Sequence, residues 1–218
     1  MMYVLIIGCG RVGRGLAQLL SMNGNDVVIV DKDASHFQEL GPTFDGLTIE
    51  GDGTDQDVLT KAGGSKADVF VAATDDDNTN LMASQIAKQV FKVKNVIARV
   101  NDPEKEPLYR DAGIDATVCP TAIAVAHIRN AIMHPGLIAL MTVNKGGIEI
   151  NKIEVKGPVV GKALKEIPLP KDSTIAALLR GTKAIIPGSD TILQDGDIAV
   201  VANLAGASGK VKDVLAKS

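Results

Sequence analysis

The sequence predicts an α/β protein: a parallel-sheet domain, a crossover helix, and then a smaller β-rich α+β domain. Three observations predict it. Apolar strand-like runs alternate with helix-like segments from Tyr3 to Val118, the pattern of a parallel sheet with right-handed crossovers. Gly8, Gly10 and Gly13 follow the first of these runs directly and open the segment after it. Beyond Pro135-Gly136 the texture changes to short alternating runs separated by turn residues.

Element by element, "MYVLIIG" is a buried strand and "RGLAQLLSMNG" the helix after it, with Gly24 as its stop. "DVVIVD" is a second strand ending on Asp31, and "ASHFQEL" a short helix. "LTIEGD" is a third strand, followed by the short helix "DQDVLTKAG". "ADVFVAAT" is the fourth strand and 77–90 the next helix; "KNVIARV", "PEKEPLYRDAG" and "ATVCP" complete the alternation as strand, helix and strand. The first domain is therefore placed at 1–132. The helix at 121–134 has apolar residues at 122 to 126, 128 and 131 to 133, around most of its circumference. A helix apolar on nearly all sides is buried on nearly all sides, either against another subunit or domain or within one chain.

The second domain is placed at 136–218. "GGIEINKIEV" alternates like strands, "GKALKEI" is a brief helix, and the stretch from Ser173 to Asn203 reads as a meander. Its turn signals are Arg180-Gly181-Thr182, Pro187-Gly188 and Asp195-Gly196-Asp197, and "GKVKDVLAK" is a closing helix.

Composition limits the function. The formal net charge of −3, with no basic block, argues against a nucleic-acid binder. No stretch approaches ~18 consecutive apolar residues, so no membrane span is expected, and the N-terminus lacks the pattern of a secretory signal. Two cysteines, Cys9 and Cys119, make no disulfide framework and point to a reducing cytoplasm. Cys9, inside the glycine turn, reads as a small buried side chain or as a redox group.

The chemistry concentrates in the glycine turn. Gly8, Gly10 and Gly13 form G-x-G-x-x-G after a strand and before a helix. Gly8 permits the tight turn, Gly10 lets a pyrophosphate approach the backbone, and Gly13 permits close helix–strand packing. The helix N-terminus offers N–H groups and partial positive charge to phosphates. Asp31 ends the second strand, where its carboxylate accepts ribose hydroxyls and disfavours a 2′-phosphate. The expected ligand is NAD(H) or a simple adenine nucleotide such as ATP or ADP, and not NADP. Catalytic groups are scarce. His36 reads as a solvated helix residue, and His127 and His134 as capping or interface residues. There is no closely spaced Cys/His set for a metal and no G-x-S-x-G turn. The aspartates of "ATDDDNTN" form either a helix cap or a cation site.

"GCGRVG", "VDKD", "GDGTD", "VAATDDDNTN", "NVIARVND", the "CP" after "AGIDATV", and "LLRGTKAIIPGSDTILQDGDIAVV" together resemble the domains that regulate potassium conductance. More narrowly, the chain resembles the cytosolic nucleotide-binding subunits of Trk/Ktr-type potassium uptake systems, over essentially its whole length. The resemblance implies a Rossmann-like first domain whose binding residues are Gly8, Gly10, Arg11, Val12, Gly13, Asp31, Lys32, Asp52, Thr54, Ala73, Thr74 and Arg99. Arg11 then contacts ligand phosphates, the alternative being a surface arginine. Arg99 reaches the phosphates, the alternative being an ion pair at the sheet end. Thr121 stands where Ktr-like members carry the glutamate of an intersubunit cation site, so no metal is carried over. The resemblance further implies a homo-oligomer, a ring of dimers beneath a membrane potassium-transporter subunit, and a cytoplasmic location at the inner membrane face. It also raises cyclic di-AMP as a ligand of the second domain. An NAD-dependent oxidoreductase and a regulator of a potassium exporter or channel remain as other readings.

Overall fold

The computed structural model describes residues 1–133, 137–143, 147–204 and 206–216. The chain divides into two compact units, Met1–Ile123 and Ala124–Ser218.

Unit 1 is built on six parallel strands: β1 (Tyr3–Ile7), β2 (Asp26–Asp31), β3 (Leu47–Glu50), β4 (Val69–Ala72), β5 (Asn95–Arg99) and β6 (Ala116–Val118). Their order in the sheet is β3-β2-β1-β4-β5-β6. The order reverses between β1 and β4, the point where open α/β sheets leave a crevice at the strands' carboxyl ends. The inner strands β1, β2 and β4 are apolar runs because both of their faces are covered, whereas the edge strands β3 and β6 are largely exposed. Leu5, Ile7, Val28 and Val30 enter one core with Leu59, Ala83 and Tyr109, whereas Val4, Ile6, Val27 and Ile29 enter another with Ala17 and Leu40. The helices that supply these partners are α1 (Arg11–Met22), α2 (Gln56–Lys61), α3 (Asp77–Gln89) and α4 (Glu106–Asp111), with 3-10 turns at Ala34–Leu40, Gly64–Lys66 and Pro103–Lys105. Helix α1 starts at Arg11, three residues ahead of the start read from "RGLAQLLSMNG". Gly10 is its N-cap and Asn23, just before Gly24, its C-cap.

Helix α5 (Pro120–Met133) carries the apolar stretch. Ile123, Val125, Ile128 and Ile132 are all exposed on it. His127 is also exposed, and His134, the helix's expected last residue, lies outside the described residues together with Pro135 and Gly136.

The antiparallel sheet of unit 2 comprises β7 (Leu137–Val143), β8 (Ile148–Glu154), β9 (Ser173–Arg180), β10 (Lys183–Ile185) and β11 (Ile198–Leu204), in the order β10-β9-β11-β8-β7. The expected meander is corrected here. β9 and β10 form a hairpin, but β11 returns past β9 to lie between β9 and β8. Strand β7, not anticipated as a separate element, pairs with β8 as an edge. Helix α6 (Ser208–Leu215) closes the chain, its Val211 and Leu215 buried with Ile153, Leu178, Leu193 and Val201.

Candidate functional site

The carboxyl ends of β1, β2, β4 and β5 converge on a cleft of about 540 Å³ lined by 21 residues. Its floor is the glycine turn. Gly8 has φ +97°, and a side chain there would stand 2.9 Å from Thr74 N, so the turn rests directly on the end of β4. Helix α1 then begins with no side-chain cap and no acidic residue in its first turn, leaving that end to an outside anion. Arg11 is exposed at the first helical position and lines the cleft with Val12.

Asp31, at the end of β2, lines the cleft beside the glycine turn. One carboxylate oxygen accepts the Cys9 N–H at 2.6 Å; the other accepts the Asp33 N–H at 2.9 Å and faces His36 Nδ1 at 3.1 Å. The cleft therefore has a carboxylate already oriented by its neighbours. Lys32 borders it, and Arg14 reaches across to pair with Glu39. Cys9 is buried, and burial pushes its thiol up to about 11, with Asp31 acting in the same direction. It is a packed thiol and not a thiolate at neutral pH.

Asp52 enters from the loop after β3. The N–H and hydroxyl of Thr54 both bond to it, at 2.8 and 2.7 Å, and hold its carboxyl below the usual carboxylate range. Ala73, Thr74 and Arg99 close the cleft at the ends of β4 and β5. Arg99 Nε is buried and has no hydrogen-bond partner. The sheet-end ion pair considered for Arg99 is not among the ion pairs of the described residues.

Ten of the twelve expected residues thus line one cleft: Gly8, Gly10, Arg11, Val12, Asp31, Lys32, Asp52, Ala73, Thr74 and Arg99. Gly13 and Thr54 do not. Gly13 is buried behind the turn, where a Cβ would lie 1.9 Å from the Gly8 carbonyl oxygen, and Thr54 acts on the cleft by orienting Asp52. Sequence reasoning missed Arg14, His36, Glu39, Asp75, Asp76 and Thr79 as lining residues. His36, read as a solvated residue, is half-exposed but faces Asp31. For Arg14 a signal existed: it lies one helical turn beyond Arg11.

The aspartate run divides its work. Asp76 caps α3 by accepting the Thr79 N–H at 2.7 Å, which holds its carboxyl below the usual range. Asp77 is buried and accepts the N–H groups of Asn101 and Asp102 at 2.6 and 3.0 Å. These bonds support the cap reading of the run. Among the described residues no group of three or more His, Cys, Asp or Glu is placed to hold a metal.

The TrkA-N domain family model matches residues 4–120, and the TrkA-C domain model matches 152–213. The chain is 33% identical over 216 residues to the Trk system potassium uptake protein TrkA of Streptomyces coelicolor, covering 99% of this chain and 96% of that protein. The chain belongs to the TrkA family. A TrkA homolog of Methanothermobacter thermautotrophicus is 34% identical over 196 residues, 89% of this chain and 90% of the homolog. Among solved structures, the GsuK channel matches 98% of this TrkA-family chain and 39% of its own, with TM-score 0.67 and 20% identity. GsuK bound to ADP matches 61% of this chain and 34% of its own, with TM-score 0.54 and 25% identity. The TrkA fold thus accounts for both units, the parallel sheet and the small antiparallel one. No helix among the described residues is long and apolar enough to cross a membrane.

Proposed function

We propose that the chain is the nucleotide-sensing regulatory subunit of a Trk-type potassium uptake system, acting on a membrane potassium-translocating subunit from the cytoplasmic side. The observation that carries this reading is the charge division of the cleft. The open N-terminus of α1, Arg11 and Arg99, whose buried Nε has no hydrogen-bond partner, line the same cleft as the carboxylate of Asp31. An adenine nucleotide satisfies both ends: its phosphates meet the cations and the N–H groups, and its ribose hydroxyls donate to Asp31. NAD(H), ATP and ADP all fit that description, and ADP is the ligand in one related structure.

The TrkA family of the chain, whose relatives include a potassium uptake protein, supports a regulatory task for the cleft over the oxidoreductase reading. The first domain is assigned to 1–132 and the second to 136–218. The exposed apolar residues of α5 form a seam between copies, and pairs of copies build a ring. Two nucleotides then favour two ring geometries. Moving that equilibrium from 1:99 to 99:1 takes ~5.5 kcal/mol of differential binding, which eight sites supply at under ~1 kcal/mol each.

The test has two arms. Calorimetric titration with NAD(H), NADP(H), ATP, ADP and cyclic di-AMP establishes the ligand, the last compound addressing the second domain. Potassium uptake by vesicles holding the transporter subunit, with and without this chain and each ligand, establishes regulation. Binding without any effect on uptake directs the search to an exporter or channel partner, found by co-purification with membranes.

A further inference from the structure

Asn80 lies outside the cleft yet bonds to two of its walls. It sits in the first turns of α3, fully buried, on the face that also carries Ala83, Ser84 and Ala87. An amide on such a face costs stability unless every polar atom is paired. Here its oxygen accepts the Thr74 N–H at 2.9 Å and the Thr74 hydroxyl at 2.7 Å. Its nitrogen donates to the carbonyls of Thr74 at 3.1 Å and Arg99 at 3.0 Å. One side chain therefore ties the end of β4 to the end of β5, strands that are neighbours in the sheet.

Both tied residues face the ligand space. Thr74 is the surface on which the Gly8 turn rests, and Arg99 has the buried, unpartnered Nε. Asp77, three residues before Asn80 on the same helix, fixes the N–H of Asn101, two residues past Arg99. Helix α3 thus holds the backbone at Arg99 and at Asn101, while the buried Arg99 Nε has no hydrogen-bond partner.

We infer that Asn80 is a positioning residue for phosphate recognition: it sets the spacing between the glycine turn and the Arg99 guanidinium without touching the ligand. This rests on the nucleotide reading of the cleft. A guanidinium launched from a fixed backbone meets phosphate oxygens with less ordering left to do, and binding is stronger by that difference. Losing the two donations lets the strand ends part and withdraws Arg99, whereas the ribose end at Asp31 keeps its own bonds to Cys9 and Asp33.

The test compares Asn80→Ser, and the nearly isosteric Asn80→Asp should the first unfold, with the native chain. Asn80→Asp keeps acceptors for Thr74 and replaces both donations by a carboxylate facing carbonyl oxygens. The readouts are calorimetric affinities for ATP and for adenosine, in the native and the Arg99→Ala backgrounds. The expected result is about tenfold weaker ATP with adenosine little changed, and no further loss when Arg99 is already alanine. Equal losses for ATP and adenosine, or full additivity with Arg99→Ala, overturn the inference and leave Asn80 a structural residue. A native chain that binds none of these nucleotides overturns the reading of the cleft itself, and the two failures are thereby distinct.

Discussion

The carboxylate of Asp31 holds the backbone N–H of Cys9 at 2.6 Å, tying the end of β2 to the glycine turn at the end of β1. Asp31 is thus a brace for the glycine turn and, in the proposed function, also the acceptor for ribose hydroxyls. Asp31→Ala leaves a buried N–H without a partner, at a cost of ~1–3 kcal/mol in stability. It also weakens every ribose-containing ligand and relaxes the bias against NADP(H). Asp31→Asn keeps an acceptor for Cys9 while removing the charge that repels a 2′-phosphate. Thermal unfolding with NAD(H) and NADP(H) titrations separates the two roles: alanine lowers stability and selectivity together, asparagine chiefly selectivity.

Two glycines of α1 differ in what surrounds them. A methyl group at Gly13 would stand 1.9 Å from the Gly8 carbonyl oxygen, a backbone atom that cannot swing aside, whereas at Gly15 nothing lies within 4 Å. Gly13→Ala is expected to destabilise by ~1–3 kcal/mol or more, as overpacking does, and to distort the glycine turn. Gly15→Ala is expected to stabilise by ~0.5–1 kcal/mol through helix propensity. Denaturant unfolding of both variants checks the pair of signs.

Asp197, buried in unit 2, takes two bonds from Arg180, both at 2.8 Å, and a third from the Gln194 N–H at 2.9 Å. The bonds from Arg180, ahead of the Gln194 bond, hold its carboxyl below the usual range. A carboxyl depressed in the folded state contributes stability that is fully present above its unfolded value of ~3.9 and is lost as pH falls through the folded value. Acid unfolding should therefore steepen below about pH 4, and Asp197→Asn should lower stability at neutral pH while flattening the acid limb. A variant with an unchanged acid limb contradicts the assignment.

Ile128 and Ile132 are 60% and 70% exposed on α5. If α5 is the seam between copies, Ile128→Glu buries an unpaired carboxylate there and splits the assembly, while the exposed position in a single copy tolerates it. Sedimentation velocity of the native and variant chains checks this; a native monomer contradicts it.

Much of this architecture is legible in the residues. The apolar runs mark β1, β2 and β4, because a strand covered on both faces has no choice but to be apolar, while the exposed edges β3 and β6 are legible from their place in the strand–helix alternation. The glycine turn and Asp31 are legible because each does a task that few residue types can do. What stays hidden is long-range. The return of β11 between β9 and β8 depends on pairing between distant segments, which no local pattern encodes. β7 is a run of seven residues, Leu137–Val143, without alternation, so periodicity gives it no strand signature. His36 reaches Asp31 because the segment Ala34–Leu40 folds as a 3-10 turn. Asn80 leaves a trace, an amide on the small-residue face of a helix, but its partners Thr74 and Arg99 appear only in three dimensions.

In the proposed function the cleft reads nucleotide phosphates through Arg11 at the start of α1. Charge-assisted hydrogen bonds contribute ~1.5–3 kcal/mol, which corresponds to roughly 10- to 150-fold in affinity. Titration calorimetry of the native chain and Arg11→Ala with ATP, ADP and adenosine measures this directly. ATP and ADP should weaken by that factor while adenosine, which has no phosphate, binds as before. An Arg11→Ala chain that retains native affinity for ATP contradicts that reading and makes Arg11 a surface residue.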